Sequence, residues 1–167
     1  MKNISRLSKA VLAFSFGMLM LPISKTYAVD ASTTYNQISA AAATYYFTVA
    51  VPASAAKPLQ QVTLTQIQGG EDIEFDAKQS RAFVGTSDRT GENLPVSLVR
   101  NPNQADSVTI QFAQPLPAGK TVTIALKPYR NPNYDGVYLF HLKAAPANQN
   151  TEGQSLGVAR LQFYPID

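Results

Sequence analysis

The sequence predicts an all-β fold, an antiparallel immunoglobulin-like sandwich of roughly seven to nine strands. Three features carry that expectation. Apolar residues recur at every second position in one segment after another. Turn-forming Gly, Pro, Asn and Asp separate those segments at short intervals. No long segment keeps an apolar period of 3.6, although "SAAKPLQQVTLTQ" has room for a short helical turn.

The first 28 residues read as an address. Lys2, Arg6 and Lys9 form a basic start, "AVLAFSFGMLMLPI" at residues 10–23 is apolar, and "SKTYA" ends in Ala28 with Thr26 at the minus-three position. That layout is a secretory signal peptide with cleavage after Ala28. The apolar run is shorter than the roughly 20 residues a spanning helix needs, and Pro22 interrupts it. No membrane span is expected once the leader is gone. Residues 29–43, "VDASTTYNQISAAAA", are small and polar and are expected to form a flexible N-terminal lead. The single sandwich domain then runs over 44–167.

Within it the strands follow in order. "YYFTVAV" puts Tyr45, Phe47, Val49 and Val51 on one face. "QVTLTQI" alternates on Val62 and Leu64, and "PVSLVR" on Val96 and Leu98. "SVTIQF" points Val108, Ile110 and Phe112 inward and Ser107, Thr109 and Gln111 outward. "KTVTIALK" repeats this with Val122, Ile124 and Leu126, and "VYLFHLKA" and "VARLQFY" close the series. Such alternation marks strands buried on one face. Turn signals lie between them at Gly69-Gly70, Thr90-Gly91, Asn101-Pro102, Ala118-Gly119, Asn131-Pro132, Asp135-Gly136 and Gly153.

Composition excludes several chemistries. Without the leader the chain carries ten Lys plus Arg against eleven Asp plus Glu, a net charge near −1. The basic isoelectric point belongs to the leader, and nucleic acid is not an expected partner. The chain has no Cys and no Trp, its three Met lie in the leader, and His141 is the only His. Thiolate, thioether and paired-imidazole metal sites are therefore excluded, and no cofactor is expected.

Several strings together resemble a known family. "YYFTVAVPASAAKPLQQVTLTQ", "RAFVG", "PLPAGKTVTIALKPYRNPNYDGVYLFHLKAAP" and "LGVARLQFY" are similar to the secreted cyanobacterial family of domain of unknown function 2808. The resemblance implies export and one small domain, and it brings no activity and no site residues.

Four features offer chemistry. "GQSLG" at 153–157 has the spacing of a nucleophile elbow around Ser155, but a polar loop precedes it and a strand follows, the reverse of the strand-to-helix context that exposes such a serine. His141 is a base candidate in the wrong chain order. A hydrolase requires that Ser155 and His141 converge in space. "GGEDIEFDA" would place Asp72, Glu74 and Asp76 on one face if extended, a calcium candidate or else a charged outer face that discourages edge pairing. Tyr45, Tyr46, Tyr129, Tyr134, Tyr138 and Tyr164 are candidate stacking surfaces for a sugar, but core or strand-pair packing accounts for most of them, with Tyr134, in a polar turn, the exception.

The tetrapeptide Arg-Asn-Pro-Asn occurs twice, at 100–103 and 130–133. Pro fixes its own φ and pushes the preceding residue into extended geometry, and Asn side chains bond nearby backbone. The sequence reads as a turn device. The second copy, with Arg130, Asn131, Asn133, Tyr134 and Asp135, is also a candidate binding loop. The functional expectation is an exported, non-enzymatic sandwich, periplasmic or extracellular, whose partner is an envelope protein or a polysaccharide. A carbohydrate-binding accessory module is the alternative.

Overall fold

The computed structural model describes residues 27–53, 58–101, 104–116, 118–146 and 153–166. Its strands are β1 (Ala28–Thr33), β2 (Tyr45–Ala50), β3 (Gln61–Gln68), β4 (Phe75–Thr86), β5 (Arg89–Leu94), β6 (Val96–Asn101), β7 (Gln104–Phe112), β8 (Thr121–Pro128), β9 (Gly136–Ala145) and β10 (Gln154–Phe163). They form two five-stranded antiparallel sheets, in the orders β1-β2-β8-β4-β5 and β10-β9-β3-β7-β6. The two-sheet antiparallel sandwich is as expected, with ten strands rather than seven to nine.

The alternation maps onto the core. Tyr45, Phe47, Val49, Val62, Leu64, Ile110, Phe112, Val122, Ile124 and Leu126 are all buried between the sheets. Tyr138, Phe140 and Leu142 meet them from β9. Two ring pairs bridge the sheets, Phe47 and Phe140 edge-on at 5.3 Å and Tyr45 and Phe163 tilted at 5.6 Å, while within a sheet Tyr138 and Phe163 stand edge-on at 5.3 Å and Tyr45 and Phe75 at 5.9 Å. Edge-to-face pairs of this kind add about 0.5–1.5 kcal/mol beyond the area they bury. β8 departs from the pattern. Thr123 and Ala125 on its outward side are also buried, and Thr123 Oγ1 donates to the Gly85 carbonyl at 2.7 Å.

The expectation of a flexible lead over 29–43 does not hold. Ala28–Thr33 form β1, paired residue by residue with β2 from Ala28↔Ala50 to Thr33↔Tyr45. Residues 34–43 form a strap over one end of the sandwich. Ile38 N–H donates to the Tyr164 carbonyl at 3.0 Å, Tyr164 N–H to Asn36 at 2.8 Å, and Ser39 N–H to Pro132 at 2.9 Å. Small side chains permit this, since the backbone supplies the bonds. Of the expected leader, only Tyr27 and Ala28 are among the described residues.

Strand directions gather the β1–β2, β3–β4, β6–β7 and β8–β9 connections at the same end, together with the residues after β10. We call it the strap end. Among the described residues, eight large apolar side chains are well exposed, and six of them, Tyr35, Ile67, Tyr129, Tyr134, Tyr164 and Ile166, lie at or beside this end.

Candidate functional site: a cleft at the strap end

The β3–β4 and β8–β9 connections face each other across a cleft of about 290 Å³. Glu71, Asp72, Ile73 and Glu74 make one wall, and Tyr129, Arg130 and Pro132 the other. The two stretches singled out from sequence, the acidic run and the second Arg-Asn-Pro-Asn, are thus brought together.

Both walls are fixed by hydrogen bonds. Gln66 braces the first, donating through Nε2 to the Glu71 carbonyl at 2.7 Å and accepting from Ile73 N–H at 3.0 Å. The Glu71 carboxylate clamps the second wall to the first, accepting from Asn133 N–H at 2.6 Å and from Asn133 Nδ2 at 3.2 Å. Tyr129 N–H donates to the Glu74 carbonyl at 3.1 Å. Arg100 braces the acidic wall, with Nη2 donating to the Phe75 carbonyl at 3.1 Å and Nη1 lying 3.6 Å from Glu74 Oε2.

The residues of the candidate binding loop divide by role. Asn131 is fully buried. Its Nδ2 donates to the carbonyls of Tyr35 and Gln37 at 2.9 and 2.7 Å, its Oδ1 accepts from Tyr45 Oη at 2.9 Å, and its N–H donates to Ala40 at 2.8 Å. It is the pin of the strap, with no surface to offer a ligand. Asn133 serves the clamp and also accepts from Ser39 Oγ at 3.0 Å. Tyr134, 62% exposed, lies over Gly70, and its carbonyl accepts from Tyr138 Oη at 3.0 Å. Arg130 faces the cleft, and Asp135 is exposed beside it. In the first copy of the tetrapeptide, Arg100 pairs as described, while Pro102 and Asn103 lie outside the described residues.

Burial sets the local electrostatics. Removal from water pushes the Tyr45 phenol far above its usual range, with Tyr138 and the negative Glu71 adding to the rise. Tyr138 is raised for the same first reason. Both phenols stay neutral donors at physiological pH, which their hydrogen bonds to Asn131 and Tyr134 require.

The calcium candidate is not assembled. Asp72, Glu74 and Asp76 do not converge, and among the described residues no three His, Cys, Asp or Glu side chains come together to hold a metal. Asp76 instead caps its own turn, accepting from Lys78 N–H and Gln79 Nε2 at 2.8 Å each. The Lys78 backbone bond, then the Gln79 side chain, hold its carboxyl below the usual range.

Ser155 and His141 do come together, with Oγ and Nε2 2.8 Å apart across the β9–β10 hairpin. The setting differs from a nucleophile elbow. Both side chains lie on the outer sheet surface, Ser155 abuts a bulge at Ser155/Gly157, and β10 continues beyond it as a strand. Among the described residues no carboxylate bonds the ring to orient it.

Sequence reasoning did not single out Glu71, and it grouped Tyr129 with tyrosines mostly assigned to packing. Tyr129 is 61% exposed, and its signal was its place just beyond Pro128, where β8 ends. Tyr164, half exposed, also departs from the packing role expected for it.

No helix among the described residues is long and apolar enough to cross a membrane, which does not bear on strand-built spans. No curated protein matches the sequence. Solved structures share the fold. The bacterial hydrophobin BslA superposes with a TM-score of 0.51 at 13% identity, over 85% of this chain and 96% of that one. A DUF4466 family protein from Parabacteroides merdae gives 0.48 at 14% identity, over 84% of this chain and 44% of that one. The collagen-binding domain of a Staphylococcus aureus adhesin gives 0.39 at 10%, over 80% and 95%. The first likeness supports the sandwich architecture and nothing finer. The conserved-family comparison matches residues 19–163, nearly the whole chain, so this protein belongs to the family described as a protein of unknown function, DUF2808.

Proposed function

We propose that this protein is an exported, non-enzymatic binding protein, periplasmic or extracellular, that engages an envelope partner through its strap end. The carrying observation is the concentration of exposed apolar side chains there, six of eight, around a cleft whose walls are already fixed. Scattered single apolar residues need no explanation, whereas a cluster at one end, beside a concavity, marks interaction surface. The exposed setting of Ser155 and His141 supports the non-enzymatic reading, since among the described residues no carboxylate orients the ring. Fractionation of the native host, followed by pull-down with the exported protein and with a Tyr129→Ala, Tyr134→Ala double variant, tests the proposal. Retention on envelope material that the double variant loses is expected. Equal retention of both proteins places the binding surface elsewhere.

A polysaccharide rather than a protein as the partner is a second reading. The exposed ring of Tyr129 facing polar groups across the cleft favours it.

A further inference from the structure

We infer that the strap-end cleft binds one sugar ring of a neutral polysaccharide, stacked on Tyr129 and held through its hydroxyls by Asp72 and Arg130. This deepens the proposed binding function and rests on it.

The argument starts from which groups in the cleft are already occupied. Glu71 gives both carboxylate oxygens to Asn133, and Glu74 faces Arg100. Asp72 and Arg130 have no hydrogen bond or ion pair within the described structure. One is an acceptor only and the other a donor only, and they stand on opposite walls. A hydroxyl both donates and accepts, so neighbouring hydroxyls on a ring satisfy both groups at once. With Glu71 and Glu74 beside them and Arg100 on Glu74, three carboxylates face two guanidinium groups, a slight negative excess that disfavours an anionic ligand.

Tyr129 adds an apolar face that is 61% exposed beside those polar ends. A sugar ring has the matching division: C–H groups on its faces and hydroxyls at its rim. The cleft lies at the small end of ligand sites, which run from about 300 to 1,000 Å³. That suits one ring of a chain lying across an open cleft. Because Gln66, Glu71 and Asn133 hold the walls, little ordering remains to be done on binding.

Other ligands fit less well. A divalent cation needs several converging oxygens, and the carboxylates do not converge. An extended peptide adding to a sheet needs a free strand edge, and the cleft is walled by connections. An apolar surface pressed on this end would strip water from Asp72 and Arg130 without pairing them.

Titration of the exported protein with neutral hexasaccharides of glucose (β-1,4, β-1,3 and α-1,4 linked), xylose, mannose and N-acetylglucosamine tests the inference. The chain has eight Tyr and no Trp, so tyrosine emission is an undiluted readout. Saturable binding of at least one sugar is expected. Tyr129→Ala should weaken it tenfold or more, and Asp72→Asn and Arg130→Gln severalfold each. Val158→Ala, exposed on β10 and outside the strap-end cluster, should leave it unchanged. Melting curves for each variant separate lost binding from lost folding. Binding that survives Tyr129→Ala overturns the assignment of the site. If no sugar binds while retention on envelope material still depends on Tyr129, the sugar is wrong, the partner is a protein, and the binding function stands. If that retention is also absent, both readings fail.

Discussion

Replacing Asn131 by Ala removes a buried side chain that ties the strap, the β8–β9 connection and the core together. Three side-chain hydrogen bonds are lost, from a residue with no exposed surface. The Tyr45 hydroxyl is left without its acceptor in a buried site, which costs about 1–3 kcal/mol. The carbonyls of Tyr35 and Gln37 each lose a donor at about 0.5–1.5 kcal/mol, toward the low end because the strap borders water. The sum is about 2–4 kcal/mol, at or above the usual range for single substitutions. At about 3 °C per kcal/mol for a domain of this size, the melting temperature should fall by roughly 6–12 °C. Urea unfolding followed by tyrosine emission gives the free energy directly. A cycle with Tyr45→Phe isolates the shared bond: Tyr45→Phe removes the orphaned donor, so the double variant should lose clearly less than the two single losses added together. Asn133→Ala, at an exposed position, should lose under about 1 kcal/mol. An Asn131→Ala protein within about 1 kcal/mol of the parent would refute the reasoning, since a buried donor left unpaired costs at least that. The second Arg-Asn-Pro-Asn would then owe its sequence to something other than the pin.

Other expectations follow from local geometry. Gly136 has φ +126° with open space around its missing Cβ, so Gly136→Ala should lose about 1 kcal/mol from backbone strain alone, whereas Gly69→Ala should lose more, because its Cβ would clash with the Tyr138 ring; paired melting curves compare them. Ser155 should resist a fluorophosphonate despite its contact with His141, and stoichiometric labelling that Ser155→Ala abolishes would establish a nucleophile. The carboxyl of Asp76 titrates lower in the folded chain than unfolded, so its contribution is present above the ordinary carboxylate value of 3.8 and is lost as pH falls through the lowered folded value. Stability against pH should therefore flatten in that acidic window for Asp76→Asn. Exported protein should begin at Val29 by N-terminal sequencing, and a mature chain that keeps residues 10–23 would remove the leader reading.

The sheet core was legible because burial on one face writes a period of two, and β2, β3, β6, β7, β8, β9 and β10 all carry it. The strands that were not read lack that signature for separate reasons. β4 carries a bulge: its pairing with β8 jumps from Asp76↔Lys127 to Arg81↔Ala125, so residues 77–80 stand out of register and the alternation breaks. β5 is an exposed edge strand, "RTGENL", with almost nothing to bury. β1 is built from small residues whose stability comes from pairing with β2. The site was legible only as parts. Turn chemistry marked the Arg-Asn-Pro-Asn loop, but Asn131 turns inward because Tyr45 and the strap carbonyls need it, and those partners are 86 to 96 residues away in sequence. The Ser155–His141 contact depends on the β9–β10 register, which a bulge shifts and periodicity does not reveal.

The pairing of the strap with Tyr164 also sets an order of events. Asn36 and Ile38, close behind the proposed leader, bond the residue that follows the last strand, and Gln37 forms a parallel bridge with it. The two extremities of the domain are therefore partners. A topology dominated by such distant pairings folds slowly, because the whole intervening chain must be closed before the contact is gained. Until Tyr164 has been synthesised, the strap has nothing to bond at that seam. A precursor passing through a translocation channel amino terminus first would thus remain unsealed until Tyr164 cleared the exit. Sealing would then take place on the far side of the membrane, so slow closure would help keep the chain threadable.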